Sequence, residues 1–206
     1  MFASLRLLAL GCVCFALLLP SSAAAGADAP MSIAGITVGE DFTKIESRLD
    51  MDTALPLWSQ PYLTRARLKP TKGFKSGYVS YGGCARPGKI LRVKMKYKNQ
   101  ELQFAQQLAK KITQRYGKPV DFRGNSWGTA SAYKWSIPLD KDASVSIILM
   151  HSVSDDESYT QGNSLRISVP MWMEQERECY EKKQPAEAQS PAFGPKELTE
   201  QWYLPH

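Results

Sequence analysis

Histidine is nearly missing from this chain. Its 206 residues include two, His151 and the terminal His206. That leaves little material for a histidine-based metal site or catalytic triad. Cysteine is scarce too, at four, and no C-x-x-C pair is present. Long apolar runs are missing after residue 19, so no later segment suits a membrane span. There is no Walker loop, dinucleotide fingerprint or H-E-x-x-H motif, and no internal repeat is evident. A hydrophobic fraction of 43% with 22% charged residues excludes wholesale disorder.

What is present begins with a leader. Residues 1–27 read as a secretory signal: Arg6 in a basic n-region, an apolar run from Leu7 to Leu19, then Pro20 and the small residues Ser21 to Ala27. The run is 13 residues long, short of the roughly 20 that a bilayer span needs. Gly11-Cys12 raises a lipoprotein alternative, but the apolar segment continues past Cys12 and Ala9 stands where Leu is expected. The expectation is therefore an exported, periplasmic or secreted protein. Cleavage would leave Cys84 and Cys179. Two cysteines in an oxidising compartment most simply form one bridge. The alternatives, a reactive thiol or a two-cysteine metal site, lack a neighbouring His or Cys.

Periodicity comes next. Phe42, Ile45 and Leu49 share a helical face. Residues 53–76, with Pro56, Pro61 and Pro70, read as a long loop or arm. Tyr78 to Tyr81 suits a short strand, followed by a Gly-rich turn around Cys84. Lys89 to Lys98 alternates strictly, with Leu91, Val93, Met95 and Tyr97 on one face and Arg92, Lys94, Lys96 and Lys98 on the other. Asn99 can cap a helix whose stripe is Leu102, Ala105, Ala109, Ile112 and Tyr116, closed by Gly117 and Pro119. Three strands follow, around Tyr133 to Ile137, Val145 to Leu149 and Leu165 to Val169. Pro170 starts a last helix running to about Lys183. This order predicts an α+β fold: a mainly antiparallel, five-stranded sheet with helices packed on one face. The expected layout is a signal at 1–27, one domain at 28–183, and a flexible Pro-rich tail at 184–206. Leu198 to Leu204, with Trp202 and Tyr203, is either a docking peptide or part of that tail.

Charge is unevenly spread. Residues 65–118 carry 15 Lys plus Arg and one acid, Glu101, while the flanking stretches are net acidic. Arg92, Lys94, Lys96 and Lys98 predict a cationic row on the order of 20 Å long, since same-face residues on a strand lie roughly 6.5–7 Å apart. Such a row suits an anionic envelope component or an acidic partner protein. Nucleic acid is least favoured, because no aromatic recognition motif accompanies the bases. The ordinary alternative is neutralisation by carboxylates on neighbouring strands.

Gly124-Asn125-Ser126-Trp127-Gly128 matches the hydrolase pattern G-x-S-x-G, and Asp140 or Asp142 and His151 follow in triad order. The context differs, because a loop precedes the motif and a strand follows it. Asp155, Asp156 and Glu157 offer oxygens to a hard cation but lack the spacing of a calcium loop. The expectation is a non-catalytic binding or interaction module using its basic strand face, with no cofactor and no metal. The alternative is a small secreted hydrolase using Ser126 and His151.

Overall fold

The computed structural model describes residues 29–125, 129–154 and 161–184. A small hairpin comes first, β1 (Ser32–Ile33) and β2 (Ile36–Thr37), turning through Ala34 and Gly35 at positive φ. A 3-10 helix (Phe42–Arg48) leads into four strands: β3 (Leu49–Leu57), β4 (Gln60–Leu68), β5 (Phe74–Gly82) and β6 (Ile90–Tyr97). Helix α1 (Leu102–Tyr116) leads into four more: β7 (Asp121–Gly124), β8 (Ala130–Pro138), β9 (Ser144–Ser152) and β10 (Gly162–Ser168). Helix α2 (Pro170–Lys183) follows.

The eight strands β3 to β10 form one antiparallel sheet in the order β3-β4-β5-β6-β10-β9-β8-β7. The expectation of a five-stranded α+β sheet with helices on one face is thereby overturned. The protein is mostly sheet, with three short helices among the described residues. Residues 53–76 supply most of the discrepancy. They are no loop but most of the β3–β4 hairpin and the start of β5. Pro56 is tolerated because β3 is an edge strand, where a missing N–H breaks no ladder. Pro61 stands at the start of β4, beside the turn, and Pro70 follows its end. Register shifts in the β3–β4 ladder blur the alternation that would have marked a strand.

Two four-stranded meanders, each preceded by a helix, therefore meet where β6 pairs with β10. One face of the combined sheet is apolar. Ala66, Val79, Val93, Met95, Ile167 and Val145 pack beneath the β1–β2 hairpin and the 3-10 helix. Leu165, Leu149, Ile147, Trp135 and Ile137 pack beneath Ala109 and Ile112 of α1. The Trp135 indole donates to the Gly117 carbonyl at 3.1 Å, tying the end of α1 to β8.

Helix α2 crosses one end of the sheet. Its Glu176 is 0% exposed. The carboxylate accepts backbone N–H bonds from Gly83 (3.3 Å), Cys84 (2.8 Å) and Arg86. Beside it the Cys84 and Cys179 sulfurs stand 2.00 Å apart, at bonding distance, with Cα atoms separated by 5.8 Å. Arg86 adds its guanidinium over the Trp172 ring, 4.6 Å from the centroid, and a 2.9 Å bond to Gln175. The segment between β5 and β6 is thus pinned to α2 at several points.

Candidate cationic sheet face

Alternation decides what the second face presents. Where odd residues of β9 and β10 enter the core, even ones turn away from it. Cross-strand register then aligns a single row over all eight strands: Asp50, Arg67, Tyr78, Lys94, Arg166, Ile148, Lys134 and Asp121. The row is palindromic. Read from either edge it runs acid, base, large residue, base. Lys94 and Arg166 are directly opposed at the central β6–β10 pair. Neighbouring strands lie ~4.8 Å apart, so the span from Arg67 to Lys134 is about 24 Å.

The two acids stay near the edges. Asp50 meets Arg67 at 3.5 Å, and Asp121 meets Arg123 at 3.3 Å. Among the described residues, Arg65, Arg92, Lys96, Lys98, Lys134 and Arg166 form no ion pair. Arg65 instead lies over the Tyr78 ring, 5.5 Å from its centroid.

The four cations singled out along β6 divide among different surroundings. Lys94 and Lys96 are half-buried and line a groove of about 390 Å³ with Arg65, Arg67, Ser76, Gly77 and Tyr78. Lys98 lies past the end of β6 and is exposed. Arg92 is 9% exposed. Its Nη2 meets the Met173 sulfur of α2 at 3.5 Å, and its buried Nε has no partner. Burial, and next the neighbouring Arg166 charge, push its guanidinium below the usual arginine range. Opposite it, Ser80 is 0% exposed with an unpartnered hydroxyl.

A second groove, of about 410 Å³, lies on the other half of the face. Arg123, Lys134 and Arg166 line it with Asp121, Ile148, Met150, Ala132 and Tyr133. Sequence reading missed this half, because Arg123, Lys134 and Arg166 sit on three separate strands outside the basic stretch. Lys110, Lys111 and Arg115 do not join the face, since α1 packs on the apolar side.

The hydrolase residues take other places. Ser126 lies outside the described residues. His151 is 3% exposed on the core side of β9, and its Nδ1 is 2.7 Å from Asn163 Oδ1. Asn163 in turn donates to the Asn99 and Glu101 carbonyls at 3.0 and 2.8 Å. This chain anchors the entry to α1. There Asn99 accepts the Glu101 N–H at 2.9 Å rather than serving as N-cap, which is Glu101. Asp140 caps a turn, accepting from Asp142 N (3.0 Å) and Ala143 N (2.8 Å).

Asp155, Asp156 and Glu157, the leader and the 198–204 segment lie outside the described residues. Among the described residues no group of three or more His, Cys, Asp and Glu is placed to hold a metal, and no helix is long and apolar enough to cross a membrane. No protein-family model, curated protein or solved structure matches the chain.

Proposed function

We propose that this protein is an exported, non-catalytic binding module whose cationic sheet face, beyond the end that α2 covers, takes an anionic envelope component or an acidic partner protein. The carrying observation is the palindromic row, in which Lys94, Arg166 and Lys134 lie inward of both acids. A folding argument does not call for like charges set directly opposite each other on a sheet, since cross-strand pairs of one sign repel. An anion laid over the row relieves that repulsion and gains from several cations at once. The Cys84–Cys179 pair supports export, because such bridges persist in oxidising compartments, and the leader-like residues 1–27 agree with it.

The test is retention of the purified chain on an anionic resin across a salt gradient. Lys134→Glu with Arg166→Glu should elute at clearly lower salt than the parent protein. Lys110→Glu with Lys111→Glu makes the same change in net charge on the opposite side of the sheet and should shift elution much less. Equal shifts for the two pairs would reduce the behaviour to net charge and remove the reading.

A further inference from the structure

The two grooves differ in what lies between their cations. On the first half of the sheet, Arg67 and Lys94 flank Tyr78, with Ser76 and Lys96 nearby, so an aromatic ring bearing a hydroxyl lies between the cations. On the second half, Arg166 and Lys134 flank Ile148, and Met150 and Ala132 lie one register position along. A half-buried isoleucine and methionine on the solvent side of a sheet do no work for the core, which lies on the other face. They give this groove an apolar floor between Arg166 on one side and Lys134 on the other, with Asp121 at the outer rim beside Lys134 and ion-paired to Arg123.

Two further observations concern Arg166, the cation on the inner side of this groove. The Arg166 Nε is buried without a hydrogen-bond partner. Diagonally across the β6–β10 pair, the mostly buried Arg92 carries a second unpartnered Nε. Buried donors of this kind are seldom left unmet unless an ion, water or ligand completes them. Two such guanidinium groups side by side favour a negative charge placed against the outer one. The volume, about 410 Å³, falls in the range of small-molecule sites.

We propose that the groove between Arg166 and Lys134 binds an amphiphilic oxyanion, with its phosphate, sulfate or carboxylate head on those two cations and its apolar part on Ile148 and Met150. This rests on the reading of the face as an anion-binding surface and adds the ligand class. The head group accepts hydrogen bonds from the guanidinium and ammonium. The apolar part removes the Ile148 and Met150 side chains from water.

Calorimetric titration of the purified chain with monomeric octyl phosphate and with inorganic phosphate tests it. Octyl phosphate should bind at least roughly ten-fold tighter, since each buried methylene contributes. Ile148→Ser should abolish that ratio while leaving inorganic phosphate binding in place. Arg166→Gln should weaken both ligands, and Lys96→Gln, in the other groove, should leave the ratio unchanged. Thermal melts of each variant establish that it is folded, and Met150→Ser serves if Ile148→Ser is not.

Equal affinity for the two phosphates, or a ratio untouched by both floor substitutions, would overturn the site. Vesicles of phosphatidylglycerol in phosphatidylcholine separate the sources of the head group. Capture by vesicles together with monomer binding assigns the head to a lipid. Monomer binding without capture assigns it to a free ligand. Capture without monomer binding would replace the groove by simple surface attraction. Salt-sensitive retention on the resin alongside failed monomer binding would sink the groove and leave the broader reading standing, whereas loss of both would sink the two together.

Discussion

Glu176 and Cys179 stand one turn apart on α2 and grip the same loop. Glu176 accepts the backbone N–H groups of Gly83, Cys84 and Arg86, while Cys179 reaches Cys84 itself. A carboxylate inside a cradle of main-chain donors is an internal anion site that the chain fills with its own side chain.

Glu176→Ala would leave three N–H groups facing a void. Unmet buried donors cost about 1–3 kcal/mol each, so a loss of about 3 kcal/mol or more is expected, roughly 10 °C in Tm for a chain of this size. Glu176→Gln keeps one acceptor oxygen and should lose less. Urea and thermal unfolding measure both, and an alanine variant within about 0.5 kcal/mol of the parent would show that the cradle is dispensable.

Gly82→Ala should be costly for a different reason. A Cβ there would collide with the Glu176 carboxylate and stand 2.8 Å from the Arg86 carbonyl oxygen. Neither neighbour is free to yield, so a destabilisation of about 1–3 kcal/mol is expected from overpacking. Restored stability in a Gly82→Ala, Glu176→Ala double variant would locate the clash at the carboxylate.

The bridge and the carboxylate should be coupled. Cys84→Ser with Cys179→Ser is expected to cost about 2–5 kcal/mol. With the bridge intact the loop cannot leave, so the donors orphaned by Glu176→Ala remain buried. Without the bridge they can turn to water. Glu176→Ala should therefore cost less in the bridge-free background, with a coupling of about 0.5–3 kcal/mol. A four-way cycle of urea midpoints reads this, and additive losses would refute the shared restraint.

Alkaline stability should fall in a window set by Tyr97. Its ring packs between Phe74 and Phe104, with centroids 5.0 Å from each. Burial pushes its hydroxyl up to about 12 from an ordinary 10.0. The unfolded chain thus loses the proton first. Between those two values the native state binds more protons, and stability declines as pH rises. The loss approaches about 2–3 kcal/mol by the top of the window. Tyr97→Phe should flatten that decline, as measured by urea unfolding at stepped pH.

Individual strands with clean alternation were legible in the sequence. Leu91, Val93, Met95 and Tyr97 mark β6, and the stripe through Ala105, Ala109 and Ile112 marks α1. The edges were not. β7 is exposed along its whole length, so it carries no apolar signature. β3 contains Pro56 and irregular register, so it imitates a loop. The count of strands failed with those two edges and with the interior strand β4, which was read into the same 53–76 loop as most of β3. The cationic face was half legible. A row running along one strand can be read from spacing. A row running across eight strands brings Arg67, Lys94, Lys134 and Arg166 together from distant segments, and only pairing register aligns them. Glu176 carried no signal, being one of several acids in a highly charged helix.

The meeting of the two meanders at β6 and β10 has a covalent corollary. Cys84 belongs to the first meander and Cys179 follows the second. A protease cutting at the exposed residues 99–101 would separate the halves in sequence while the sulfur link still held them as a single particle. Each fragment would keep its partner's edge strand at high effective concentration. A nicked molecule would migrate intact until a reductant divided it, and its halves could be exchanged or labelled separately.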